Sequence, residues 1–317
     1  MGGPIAGWLA GLPLDLLLSP WALALLGLMV GSFLNVVVHR LPLMLERQWW
    51  GDVAAQLTDS ESFRRVFGAE APERLKMAGG TVEKALADVP PLTLSRPASR
   101  CPACGQRIRW FQNIPVLSWL ALRGKCSACK TAIGARYPLV ELGTALLFGA
   151  LAWRMGAQPL TLVWCGVAAA LLALSLIDWD TTVLPDALTL PLMWAGLGAA
   201  AIGGLTELNP LQSLSGAAVG YLSLWSVYWL FKLATGKEGM GHGDFKLLAA
   251  LGAWLGWQAI LPIVLMASVL GAVVGLGMKA MGTLREGRFV PFGPFLAGGG
   301  LVVMLAGLPR ALGWIGW

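Results

Sequence analysis

Eight apolar stretches, each near the length that crosses a bilayer, constrain this chain more than any other feature. They fall at roughly 18–38, 138–154, 158–177, 184–204, 211–232, 245–257, 259–281 and 293–312. A spanning helix needs about 20 mostly apolar residues, because the hydrocarbon core is ~30 Å thick and a helix rises ~1.5 Å per residue. The sixth stretch is short and is divided from the seventh by Gly256, Trp257 and Gln258, so seven and nine are the neighbouring counts. Composition agrees: 56% of the 317 residues are hydrophobic, 13% are charged, and mean hydropathy is +0.68. A soluble domain of this size needs more polar residues to cover its surface. Pro4, Pro13 and Asp15 interrupt the N-terminal stretch and no cationic segment precedes it, so no cleavable secretory signal is expected. The expected fold is an all-α polytopic membrane protein with about eight transmembrane helices.

Lysine and arginine set its orientation. With the N-terminus outside, the inward segments 39–137, 232–246 and 279–292 hold 15, 3 and 3 of the 23 cations. That bias places these segments in the cytoplasm by the positive-inside rule. The net charge of +6 is thereby a topology signal. No nucleic-acid partner is expected, since the cations flank spans and are not clustered with stacking aromatics. The chain divides into a first transmembrane helix (1–38), a cytoplasmic insertion (39–137) and a seven-helix membrane core (138–317). Within the insertion, amphipathic helices are expected around Asp59–Phe67 and Thr81–Ala87. Residues 89–100, rich in Pro and Ser, are expected to form an extended connector.

Cys101-Pro-Ala-Cys104 and Cys126-Ser-Ala-Cys129 form two C-x-x-C pairs separated by 21 residues. Each pair presents two thiolates to one metal ion, and together they complete a tetrahedron of the zinc-ribbon kind. A reducing cytoplasm disfavours disulfides; a redox pair and unliganded thiols are the other readings. A closed four-thiolate shell leaves no position for water, so the expected zinc is structural and folds a small domain with little core of its own. Cys165, alone in an apolar stretch, is expected to be a small buried hydrophobe.

Ionisable groups within spans are costly and usually functional. Ser175-Leu-Ile-Asp178-Trp-Asp180 closes the third stretch, Pro185-Asp186 opens the fourth, and Gly241-His242-Gly243-Asp244-Phe-Lys246 opens the sixth. On this topology both clusters lie at the cytoplasmic face, where Asp178 and Asp244 can meet. Two carboxylates that meet can share a proton, leaving one to activate water and the other to polarise a carbonyl. Gly241 and Gly243 let the backbone approach an extended peptide without a side-chain clash. In the rival reading Asp178, Asp180 and Asp186 mark a loop and Asp244 caps a helix. The residues alone leave both open. Other protease chemistries lack their parts: there is no His-Glu-x-x-His and no Gly-x-Ser, and His39 and His242 are the only histidines.

In chain order stand Gly31-Ser-Phe-Leu-Asn-Val-Val-Val-His-Arg-Leu-Pro42, Ser99-Arg-Cys-Pro-Ala-Cys104, Asn113-Ile-Pro-Val-Leu-Ser-Trp119 and Leu122-Arg-Gly-Lys-Cys126. Tyr137-Pro-Leu-Val-Glu141, Asp178 to Asp186, Gly241 to Lys246 and Pro291-Phe-Gly-Pro294 follow. This ordered set runs over nearly the whole chain and resembles the type IV prepilin leader peptidases, which belong with the GxGD intramembrane aspartyl proteases. The resemblance implies cleavage of leader peptides from type IV prepilins and pseudopilins at the cytoplasmic face of the bacterial inner membrane. It implies Asp178 and Asp244 as the catalytic pair, supported by Gly241, Gly243 and Lys246. It selects Asp178 over Asp180, because the family pattern places its aspartate seven residues before a proline, here Pro185. It also implies a second activity, methylation of the new N-terminal amine by S-adenosylmethionine, since cysteine-bearing members are the usual bifunctional ones. Gly124 matches the glycine associated with methyl transfer, and Glu141 is a second candidate. The residues themselves show no glycine-rich strand-to-helix fingerprint for a nucleotide cofactor.

Other readings are a peptidase without methyl transfer, a transporter with a carboxylate proton relay, and a zinc-bearing assembly platform. The transporter is disfavoured because Asp178 and Asp244 sit at one membrane edge and no inverted repeat is present. The platform leaves the paired aspartates unexplained.

Overall fold

A computed structural model describes residues 14–282 and 290–317. Pro4, Pro13, and Arg285 and Arg288 of the third inward segment lie outside the described residues. In chain order the helices are α1 (Leu14–Leu17), α2 (Pro20–Thr58), α3 (Ser60–Phe67), α4 (Glu73–Ala87), α5 (Leu117–Ala121), α6 (Arg136–Met155) and α7 (Pro159–Thr181). Then come α8 (Asp186–Ile202), α9 (Pro210–Thr235), α10 (His242–Leu255), α11 (Ile260–Ala280), α12 (Gly293–Ala306) and α13 (Leu308–Gly313). Among the described residues there is no strand, only isolated bridges at Arg100–Arg107 and Lys125–Ala132.

Helices α2 and α6 to α12 fall on the eight apolar stretches. Four are long and apolar enough to cross a membrane, namely α2, α7, α9 and α11 counted from Trp257; α8 and α12 are shorter apolar helices. Their starts carry ordinary helix signals. Pro20, Pro159 and Pro210 occupy the first turn, where a missing N–H costs nothing. Asn209 and Gln212 satisfy each other's backbone N–H groups at 2.8 and 3.0 Å.

Helix α2 departs from expectation by continuing through Pro42 to Thr58, well past residue 38. Its far end packs on α4, where Gly79 lies against Ala54, Leu57 and Thr58 and Ala54 is fully buried. That packing offsets the hydrogen bond an internal proline removes. The expected helix at Thr81–Ala87 is the second half of the longer α4. The connector 89–100 has no helix, and α2 holds it: Arg40 donates to the carbonyls of Thr93 (2.9 Å) and Pro97 (2.7 Å), and Arg47 to that of Pro90 (2.8 Å).

Between helices in lipid there is little hydrophobic drive, so association rests on close backbone packing and internal hydrogen bonds. Helices α9 and α10 run antiparallel with Gly216 facing Gly252 and Gly220 facing Leu248; a Cβ on Gly216 or Gly252 would strike the other's carbonyl oxygen. Ser213 Oγ donates to Ala253 O at 2.7 Å, and Trp254 Nε1 to Leu192 O of α8 at 2.8 Å. Every residue from Leu247 to Trp254 is buried as a result. A helix apolar all round belongs inside the bundle, which suits α10 despite its 14 residues.

Gly216→Ala should therefore push α9 off α10 and lower the unfolding midpoint in detergent, costing about 2 kcal/mol or more. Gly198→Ala, where an added Cβ meets nothing within 4 Å, should leave the midpoint unchanged.

Candidate active site

Asp178 lies in the last turn of α7 and Asp244 in the first turn of α10. Both are buried, at 5% and 7% exposure, and Asp178 is close enough to act electrostatically on Asp244. Their helices are joined largely through neighbours. Helix α12 packs on both, and α8 packs on α10.

Leu184, between α7 and α8, packs against Gly243 of α10 and Gly293 of α12. A Cβ added to Gly243 would stand 2.8 Å from Leu184 Cβ. One added to Gly293 would stand 3.1 Å from Leu184 Cδ1 and 2.5 Å from Asp178 Oδ2. Both positions thus need a residue without a side chain. Gly293, the first residue of α12, also donates its N–H to Asp178 Oδ2 at 3.1 Å. No other hydrogen bond among the described residues reaches either carboxylate, and no unpartnered side-chain oxygen is fully enclosed. Three of the four oxygens thus have no hydrogen-bond partner among the described residues.

The neighbouring aspartates are committed elsewhere. Asp180 is exposed and pairs with Arg136 at 2.7 Å, tying the end of α7 to the start of α6. Asp186 receives Lys246 Nζ at 2.7 Å on both oxygens, tying α8 to α10. The structure thus brings Asp178 and Asp244 together and turns Asp180 outward. Gly241 caps α10, and a Cβ there would meet nothing within 4 Å. His242 packs on Tyr228 and Phe245, with ring centroids 5.2 and 5.3 Å apart.

The sulfurs of Cys101, Cys104, Cys126 and Cys129 all lie within 4.8 Å of one another, a group that could hold a metal ion. The two loops share one hydrogen-bond pattern. Cys101 N donates to Gln106 O and Gly105 N to Cys101 O; Cys126 N donates to Thr131 O and Lys130 N to Cys126 O. The Thr131 hydroxyl and backbone lower the Cys129 thiol to about 6, toward the thiolate a metal needs. Cys104 moves up to about 11: the Gln106 backbone lowers it, but lost solvation and the neighbouring sulfurs outweigh that. Cys165 is buried in α7, as expected.

Gly124 and Glu141 bear on one turn. Gly124 has φ +65°, and a Cβ there would lie 2.9 Å from Trp119 Cζ2. Glu141 is buried at 8% exposure and accepts the Val116 N–H at 2.7 Å, while Val116 itself has φ +59°. A β-branched residue in that region is strained, and nothing in its sequence announces it. Leu184 and Gly293 had no assigned role from sequence, although Gly293 lies inside the Pro291-Phe-Gly-Pro294 motif.

The family model described as the bacterial peptidase A24 N-terminal domain matches residues 25–155, from α2 to the end of α6. The model described as the type IV leader peptidase family matches residues 165–276 and takes in both buried aspartates. The chain belongs to the type IV leader peptidase family. A Pseudomonas putida protein named prepilin leader peptidase/N-methyltransferase is 50% identical over 282 residues, covering 89% of this chain and 88% of its own. Proteins of the same name from Pseudomonas aeruginosa (48% identical, 96% and 95% covered) and Burkholderia pseudomallei (47%, 97% and 91%) are also similar. No solved structure matches the chain.

Gly293→Ala should displace the Asp178 carboxylate. Peptide cleavage should fall at least tenfold while circular dichroism and the unfolding midpoint stay near those of the unaltered protein. Asp180→Asn, which loses only an exposed ion pair, should cost little activity.

Proposed function

We propose that this protein cleaves the leader peptides of type IV prepilins and pseudopilins by an aspartyl dyad, Asp178 and Asp244, and then methylates the new N-terminus. The observation that carries the first half is a pair of buried carboxylates on separate helices with three oxygens free. A water between them attacks the scissile carbonyl; one carboxylate takes its proton as the other gives one to the carbonyl oxygen. In this reading all eight apolar helices lie in the bacterial inner membrane and the dyad faces the cytoplasm, in keeping with the positive-inside rule. The Arg136–Asp180 pair supports this reading, since it ties the end of α7 to the start of α6, where the insertion ends. A substrate whose apolar helix stays in lipid and whose charged leader stays in water presents its scissile bond at that edge. Gly241 leaves room for an extended backbone, Gly243 admits Leu184, and Lys246 anchors α8 through Asp186.

The four cysteines fit zinc. Zinc–thiolate bonds of about 2.3 Å in a tetrahedron imply sulfurs about 3.8 Å apart, and Cys101 and Cys129 stand 3.8 Å apart. Such a site is closed and serves the fold of the insertion. The second activity is supported by the name its relatives carry. S-adenosylmethionine supplies an electrophilic methyl group to an unprotonated amine. Among this chain's residues, Glu141 offers a buried carboxylate to take the proton that the N-terminal ammonium loses before it is methylated, and Gly124 keeps Trp119 and the α5 turn in place beside it.

Incubation with a prepilin peptide and S-adenosylmethionine, followed by mass spectrometry, tests both halves. Asp178→Asn or Asp244→Asn should lower cleavage by roughly a thousandfold, and the double variant little further, because the pair acts as a unit. Near-normal cleavage by Asp244→Asn overturns the dyad. Gly124→Ile should abolish methylation and spare cleavage; an equal loss of both overturns a separate methyl-transfer role. Elemental analysis should find one zinc per chain, lost with any of the four cysteines.

A further inference from the structure

The turn formed by residues 110–121 presents an unusual surface. Trp110, Leu117 and Leu120 are 82%, 66% and 57% exposed. Arg107 and Arg109 precede the turn, Arg123 and Lys125 follow it, and all four are exposed. From residue 89 to residue 140 the sequence holds eight Lys and Arg and no Asp or Glu. Four thiolates around a zinc ion would offset only about two of those charges.

One hydrogen bond ties the turn to α6. Val116 N–H donates to Glu141, which lies five residues beyond Arg136 in α6. Five residues of helix are about 7 Å. Arg136 and its partner Asp180 mark the charged rim of the bundle, and the carboxylate that holds Val116 springs from the helix about two turns or less inside that rim. At that level the outward face of α6 is apolar, with Leu139, Leu142 and Leu146 all exposed. The N–H groups of Val116, Ser118, Leu120, Leu122 and Arg123 all bond within the protein, as a lipid-facing turn requires. An exposed tryptophan, two exposed leucines and cations on both flanks match the composition of interfacial anchors.

We propose that residues 110–121 form an anchor that sits in the anionic headgroup layer beside α6, with Trp110, Leu117 and Leu120 in the acyl boundary and the four flanking cations on lipid phosphates. This rests on the reading that α2 and α6 cross the bilayer. Its consequence is that the insertion lies against the membrane, close to where that reading places the scissile bond.

The test uses the full chain in vesicles of phosphatidylethanolamine and phosphatidylglycerol. Trp110, Leu117 and Leu120 are replaced in turn by photoreactive p-benzoylphenylalanine, with Leu146 on α6 and Val66 and Met77 on the insertion as controls. After irradiation, intact-mass analysis should show lipid adducts at positions 110, 117, 120 and 146 and none at 66 or 77. Labelling at 146 without labelling at the three turn positions, or cross-links from the turn to protein, overturns the anchor. No lipid adduct at 146 overturns the membrane reading of α6 instead. Replacing phosphatidylglycerol by phosphatidylcholine should cut the yield at position 110 severalfold; an unchanged yield overturns the role given to the cations.

Discussion

The close approach of α9 and α10 is the contact on which the site depends. A carboxylate exposed to hydrocarbon is expensive, so Asp244 is tolerable only if protein encloses the start of its helix. Apolar side chains cannot drive that enclosure in lipid, where tails are as apolar as leucine. Backbone contact does it instead: Gly216 and Gly252 bring α9 onto α10, and Trp254 draws in α8 through the Leu192 carbonyl. With α8 placed, Leu184 reaches Gly243 on one side and Gly293 on the other, and Gly293 meets Asp178. Each step admits the next only because the residue at the contact is small or carries a well-placed donor.

The insertion belongs to the same construction. Arg40 and Arg47 of α2 take up carbonyls of the connector, and Glu141 of α6 takes up an N–H of the α5 turn. A metal site alone can fold a small coreless domain, but it cannot orient that domain on a membrane. Main-chain groups held by side chains of the long helices can. The two cysteine loops are then tied to the bundle ahead of Cys101, through the connector, and between Cys104 and Cys126, through Val116.

How much of this was legible in sequence follows from which contacts are local. The eight apolar helices show because each carries its own run of hydrophobic residues. The extension of α2 to Thr58 does not, since Pro42 reads as a stop and only packing on α4 overrides it. Asp178 and Asp180 share one local sequence but lie two residues apart on α7 and so on different faces; which face is buried is decided by packing on α12, which begins 115 residues after Asp178. The cysteine spacing carried its message because two-residue gaps are what a thiolate pair needs. Val116 and Leu184 carried none: the first is a β-branched residue in a conformation its type avoids, and the second is one leucine among many.

The donor to Asp178 comes from a residue 115 positions later. Chains are synthesised from the N-terminus at about 5–20 residues per second, so Asp178 leaves the ribosome about 6 to 23 seconds before Gly293. By the end of that interval α7 to α11 have been made without α12, and one of the two carboxylates lacks the only hydrogen bond the described residues give it. The nascent chain therefore holds both aspartates before it holds the geometry that organises them, and the arrival of α12 is the event that completes the pair.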